Sequence, residues 1–136
     1  MLFRSRDNLR WNSLHWASRC GHVDVIELLV NRTTDIEPRT ASGRTPLMIA
    51  AVKGKVQAVK CLISRGADPT LRDNIGTNSL HLAIFEGKKD IIDTILFEGV
   101  DIESKNKIGE TPLMMARRLG HKKTVSYLLS KGAKSD

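Results

Sequence analysis

The segment GRTPLMIAA at residues 43–51, followed by RGAD at residues 65–68, contains residue types that return along the chain at one fixed interval. Leucine, alanine and glycine each occur four times at steps of 33 residues: Leu14, Leu47, Leu80 and Leu113; Ala17, Ala50, Ala83 and Ala116; Gly21, Gly54, Gly87 and Gly120. Self-similarity at such a period is the signature of a repeat protein. We therefore predict one domain, residues 1–136, built from four repeats at approximately 7–39, 40–72, 73–105 and 106–136.

Each repeat carries the signals of two helices. Asn or Thr precedes the first helix as an N-cap type, and Pro46 and Pro112 suit a first helical position. These signals predict first helices over 12–19, 45–52, 78–85 and 111–118. The second helix has apolar residues at helical spacing and is followed by Gly66, Gly99 and Gly132, with Thr33 at this place in the first repeat. One repeat cannot bury this apolar face alone, so the repeats must stack as a solenoid.

The 33-residue period and the Thr-Pro-Leu core of residues 45–47 resemble the ankyrin repeat. The resemblance spans nearly the whole chain. It implies an all-α ankyrin-repeat solenoid of helix-turn-helix units joined by β-turn or hairpin loops. It also implies a non-catalytic protein–protein interaction module, because the family mostly binds other proteins. The family's core histidine is kept as His15 and His81 but is replaced by Met48 and Met114.

The histidines give no indication of catalysis. His15 and His81 fall in the first helices, and His22 and His121 directly follow a helix-breaking glycine. These repeat-defined positions favour a polar network in the core over metal binding or general-base catalysis. The chain also has no glycine-rich phosphate loop and no nucleophile–base motif. We predict no enzymatic activity, no catalytic residues, no cofactor and no metal site.

The two cysteines, Cys20 and Cys61, are too few for a disulfide scaffold. Cys61 lies on the second-helix stripe, so we expect a buried, inert thiol there. Cys20 lies beside Gly21 and could be exposed. This cysteine usage favours a reducing compartment, which predicts a cytoplasmic protein, with the nucleus as the alternative.

The net charge of +7 invites a nucleic-acid or anionic-membrane partner, but the distribution of charge argues against nucleic acid. Residues 67–100 carry three basic and six acidic side chains, which would interrupt a basic stripe. No apolar run approaches the roughly 18–20 residues of a transmembrane helix. We expect a monomer.

The resemblance implies that a partner meets the concave surface, which consists of the turn tips and the open side of the first helices. Asn8 and Leu9 belong to this surface in the first repeat. The predicted partner-binding residues are Trp11, Arg19, Arg44, Val52, Lys53, Ile75, Phe85, Glu86, Ile108, Glu110 and Arg118. Several apolar side chains with a basic rim predict a protein or an extended or helical peptide with apolar anchors and acidic residues.

Some of these positions have a purely structural interpretation. Trp11 could cover the open end of the stack, and Leu119 could belong to the core. Trp16 takes the place of three apolar residues and is expected in the core. Arg117 and Thr124 replace small or apolar residues, which predicts a polar outer face of the kind found on a terminal repeat.

Two other functions stay open from the sequence. The chain could be the recruiting domain of a larger enzyme, such as a ligase adaptor or an acyltransferase. It could also bind nucleic acid or anionic membranes through its basic repeats, and salt would then weaken its affinity steeply.

Overall fold

The computed structural model describes residues 11–32 and 35–134, and within them the chain forms eight helices and no regular strand. The helices are α1 Ser13–Cys20, α2 Val23–Val30, α3 Pro46–Val52, α4 Val56–Ser64, α5 Ser79–Glu86, α6 Lys89–Phe97, α7 Pro112–Leu119 and α8 Lys122–Ser130. The first helix of each pair begins every 33 residues, which confirms the all-α repeat fold. Asn8, Leu9 and Thr33 lie outside the described residues.

The first helices begin where capping chemistry places them. Asn12 and Thr45 have extended backbones, and their side-chain oxygens accept hydrogen bonds from backbone N–H groups of the first turn. Asn78 and Thr111 do the same. Because a cap residue is not itself helical, each first helix begins one residue later than predicted.

The helices form two layers. The inner helices α1, α3, α5 and α7 pack side by side, and the outer helices α2, α4, α6 and α8 cover them. Leu47 and Leu80 are buried between inner helices, and Val59 and Leu62 are buried on the apolar face of α4. Cys61 is buried and Cys20 is exposed. Within the described part of the chain, every helix is too short or too polar to cross a lipid bilayer.

Two expectations about packing need correction. Thr124 is not on an outer face: it is buried, and its hydroxyl lies 3.2 Å from where a Cβ on Gly87 would stand. A short polar side chain fits there because α8 approaches the chain directly after α5. Trp16 is only half-buried, and its ring lies against that of Trp11, with centroids 4.5 Å apart. Arg117 is exposed, as expected for a polar outer face.

Candidate protein-binding surface

Three turns precede the inner helices α3, α5 and α7, and we call residues 40–44, 73–77 and 106–110 the fingertips. Each is closed by a bond from its first backbone N–H to its last carbonyl, with N···O distances of 2.9–3.1 Å. The carboxylate of Asp73 accepts bonds from the backbone N–H groups of Ile75 and Thr77. Such a side-chain acceptor fixes the turn and directs the next side chain outward. Ile75 is accordingly 63% exposed.

The third fingertip repeats this geometry with an amide. The side-chain oxygen of Asn106 accepts bonds from the backbone N–H groups of Ile108 and Glu110, at 3.1 and 2.9 Å. Ile108 is 78% exposed. The two isoleucines therefore occupy equivalent, outward-facing places on neighbouring fingertips.

Side chains and backbone connect each fingertip to the next. The backbone N–H of Asn74 donates to the Ser42 carbonyl at 3.0 Å, and its side-chain amide donates to the Ala41 carbonyl at 2.9 Å. Lys107 Nζ donates to the Asn74 carbonyl at 2.5 Å. The three fingertips therefore form one continuous edge.

A ladder of two arginines reinforces this edge. Arg39 Nη1 donates to the carbonyls of Gly43 and Arg72, and Arg72 Nη1 donates to those of Gly76 and Lys105. Each guanidinium thus bonds to its own fingertip and to the chain one repeat further on. Shared donors of this kind fix the spacing between repeats.

The ends of the inner helices present different side chains at one repeat position. Phe85 is 44% exposed there, whereas Val52 is partly buried and packs against the core. Arg19 lies at this place in the first pair and stacks over the Trp16 ring at 5.7 Å. Of the predicted apolar anchors, Phe85 and the two fingertip isoleucines are thus the exposed ones.

Trp11 is half-buried and packs against two rings of the first helix pair. Its ring centroid lies 5.6 Å from that of His15 and 4.5 Å from that of Trp16. These contacts favour the interpretation that Trp11 covers α1. Trp11 therefore has a smaller fraction of its side chain exposed to a partner than Ile75 or Ile108.

Ion pairs change the charge of the predicted rim. Arg118 contacts Glu110 through Nε and Nη2, at 2.6 and 3.1 Å, and this hydrogen bonding lowers the pKa of Glu110. Arg44 Nε lies 3.6 Å from the buried carboxylate of Asp73. Both arginines are therefore partly neutralised, whereas Lys53 and Glu86 are exposed.

The histidine rings take part in the packing of the repeats. His15 Nε2 lies 2.8 Å from the Pro38 carbonyl, and His81 Nε2 lies 3.1 Å from the Glu110 carbonyl. Both rings are buried. These contacts make each ring part of a polar core network. Across residues 11–32 and 35–134, no group of three or more His, Cys, Asp or Glu side chains could hold a metal ion.

The sequence analysis did not single out every apolar side chain that the structure exposes, and Met114 and Phe97 are among those it missed. Met114 on α7 is 39% exposed and Phe97 on α6 is 86% exposed. The repeat itself contains the signal for Phe97, because the equivalent places hold Asn31, Ser64 and Ser130. An aromatic residue where the other repeats have small polar ones is not required by the fold.

Stacked helix pairs in 33-residue steps, with hydrogen-bonded fingertips along one edge, define a helical repeat protein. A family model described as ankyrin repeats (3 copies) matches residues 3–73 and 80–136. The chain therefore belongs to the ankyrin-repeat family. A search of curated proteins gave no significant match. Ankyrin repeats are generally protein–protein interaction modules, and the family is typically non-catalytic.

Proposed function

We propose that this chain binds a protein or peptide partner on its concave surface, through apolar contacts made by Ile75, Phe85 and Ile108. The observation that carries the proposal is their joint exposure on one side of the stack. Single exposed apolar residues are ordinary on protein surfaces, but several on one surface indicate an interaction site.

The ladder of two arginines supports this function, since it holds the fingertip residues Ile75 and Ile108 in place before a partner binds. A surface fixed in advance loses less conformational entropy on binding. Packed helices lie about 8–10 Å apart, which sets the approximate distance between Ile75 and Ile108. An extended partner rises roughly 3.3 Å per residue and alternates its side chains between two faces, so its two apolar side chains would be about two or four residues apart. In a helical partner they would be about seven residues apart, two turns along one face at 1.5 Å per residue.

The exposed cations of this surface favour acidic residues beside the apolar anchors of the partner. Lys53 and Arg19 are exposed at the ends of the inner helices. Arg118 is already engaged by Glu110, so it contributes less. Rim charges of this type mainly accelerate association and select partners.

The double variant Phe85→Glu/Ile108→Glu tests the proposal. Affinity capture at about 150 mM salt, where surface charge is screened beyond roughly 8 Å, first identifies proteins retained by the wild-type chain. We expect the double variant to weaken binding of the purified partner about tenfold or more, because two apolar anchors are replaced by charges.

The matched control is Leu28→Glu on α2, which changes an apolar residue of the outer layer whose exposure, 50%, is close to the 44% of Phe85. Circular dichroism and thermal unfolding must show that all the variants fold. If the double variant binds the partner as tightly as wild type, or if Leu28→Glu weakens binding equally, the concave surface is not the binding site.

A further inference from the structure

A groove runs between the outer helices α6 and α8, on the side of the molecule away from the fingertips. It consists of two depressions with volumes of about 510 and 180 Å³. Phe97 and Lys131 line the larger one, and Lys89 and Lys123 line the smaller one. We call this feature the outer groove.

Two stripes of side chains face each other across the outer groove. On α6 the stripe is Lys89, Asp93 and Phe97, and on α8 it is Lys123 and Tyr127, continued by the C-cap residue Lys131. Residues four apart share one face of a helix. The Tyr127 hydroxyl donates a hydrogen bond to Asp93, Lys131 Nζ lies 3.4 Å from Asp93, and Lys89 Nζ lies 5.0 Å from the Tyr127 ring centroid.

The repeat supplies an internal comparison for these side chains. At the position equivalent to Lys123, the other repeats have Asp24, Gln57 and Asp90. At the position of Tyr127 they have Leu28, Cys61 and Thr94, and at that of Phe97 they have Asn31, Ser64 and Ser130. Lys89 stands where the first two repeats have Val23 and Val56. Since those residues support the same helices, the fold does not require Lys123, Tyr127 or Phe97 at these places.

The charge of the groove is positive. Three lysines line it against the single carboxylate of Asp93, which already bonds to Tyr127 and Lys131. The Tyr127 hydrogen bond lowers the pKa of Asp93, which therefore stays ionised at neutral pH. Asp90 lies on the first turn of α6 but does not line either depression. Phe97 adds a nearly fully exposed aromatic ring beside Lys131.

We propose that the outer groove binds a segment of a partner protein that carries two carboxylates and one apolar side chain. One carboxylate meets Lys123, the other shares Lys131 with Asp93 through the remaining donors of its ammonium group, and the apolar side chain covers Phe97. Lys131 is the C-cap residue of α8, eight residues after Lys123, so their Cα atoms are about 12 Å apart at 1.5 Å per residue. An extended segment covers this distance in about four residues, at roughly 3.3 Å each. This surface is separate from the concave one and can be occupied independently of it.

The test selects binders from a library of random short peptides displayed against the whole wild-type chain. The enriched peptides are synthesised with a fluorescent label, and their affinities are measured by anisotropy at about 150 mM salt. The variants are Lys123→Glu, Phe97→Ser and, for the concave surface, Phe85→Glu/Ile108→Glu. Lys60→Glu on α4 is the matched control, because it makes the same charge change on an exposed outer-helix lysine.

We expect the selection to enrich one class of acidic peptides that also carry an apolar residue. The Kd of these peptides should rise about tenfold with Lys123→Glu and several-fold with Phe97→Ser. Lys60→Glu and the concave double variant should leave the affinity of this class unchanged. The proposal is overturned if the enriched peptides all bind the groove variants as tightly as wild type. It is also overturned if Lys60→Glu weakens binding as much as Lys123→Glu, since net charge alone would then explain it. Peptides sensitive only to the concave double variant would support the concave surface and refute the outer groove.

Discussion

Among single residues, Gly43 shows most directly how closely neighbouring fingertips approach. Its φ is +84°, and a Cβ added there would lie 2.3 Å from Asn74 Oδ1 and 2.9 Å from the Asn74 backbone nitrogen. That nitrogen is held by its bond to the Ser42 carbonyl. Glycine is therefore required at position 43 for two reasons: the left-handed backbone conformation and the close contact with the next repeat.

A pair of glycine substitutions separates these two requirements. Gly109 has nearly the same φ, +85°, but apart from its own and its two neighbouring residues no described atom lies within 4 Å of its added Cβ. We expect Gly109→Ala to lower the free energy of unfolding by about 1 kcal/mol through backbone strain alone. Gly43→Ala should cost at least about 1 kcal/mol more, because Asn74 must shift and its hydrogen bonds weaken. Denaturant unfolding measures both; equal losses would contradict the close approach.

At the scale of the helix, His81 connects the start of α5 to the third fingertip. Its Nδ1 accepts a hydrogen bond from the backbone N–H of Asn78, the N-cap residue, at 3.5 Å, and its Nε2 lies 3.1 Å from the Glu110 carbonyl. The ring is fully buried, and this burial lowers the pKa of His81. Because a carbonyl can only accept, Nε2 carries a proton and donates to Glu110.

This lowered pKa predicts a pH-dependent stability. In the unfolded chain a histidine has its ordinary pKa of about 6.5, above that of His81 in the folded chain. As pH falls, His81 is therefore protonated in the unfolded state before it is protonated in the folded state. The stabilisation is therefore complete above about pH 6.5 and is lost as pH falls below it. His81→Met introduces the residue found at the equivalent positions 48 and 114 and removes both the titration and the bond to Glu110.

We expect wild type to be more stable than His81→Met at about pH 7.5 and the difference to narrow at about pH 5.5, where the unfolded histidine is protonated. Urea unfolding at both pH values measures this difference, and groups common to both proteins cancel in it. A difference that stays constant with pH would show that His81 does not titrate differently on folding.

The helices were predictable from the sequence because the residues that begin and end them lie next to them in the chain. Capping residues and glycines at 33-residue steps located all four inner helices to within one residue. Burial was less predictable where it depends on the adjoining repeat: Thr124 was expected to be exposed because α8 was not known to approach Gly87. The half-burial of Trp16 was missed for the same reason, since it depends on which residues cover α1.

The candidate binding surface was predictable to a similar degree. The exposure of Ile75 and Ile108 follows from turns that the repeat pattern locates. The pairing of Arg44 with Asp73 does not, because these residues belong to different repeats and meet only when the fingertips stack. The outer groove was missed because only the structure shows that α6 and α8 leave space between them.

For the whole molecule, stability should be unevenly distributed along the stack. The inner helices pack continuously from α1 to α7, and α4 packs against both α2 and α6. Between α6 and α8 the packing is interrupted by the two depressions of the outer groove. In a repeat protein each unit contacts only its neighbours, so a weak interface lowers the cost of opening one helix without opening the rest.

Native-state hydrogen exchange should reveal this difference. We expect the backbone amides of α8, Lys122–Ser130, to exchange through local opening at a lower free energy than those of α4, Val56–Ser64. The two helices have the same length, nine residues, so helix length does not account for the difference. Equal protection of α4 and α8 would mean that the stack opens only as one unit. The Tyr127–Asp93 and Lys131–Asp93 contacts would then be sufficient to couple α8 to α6 despite the groove between them.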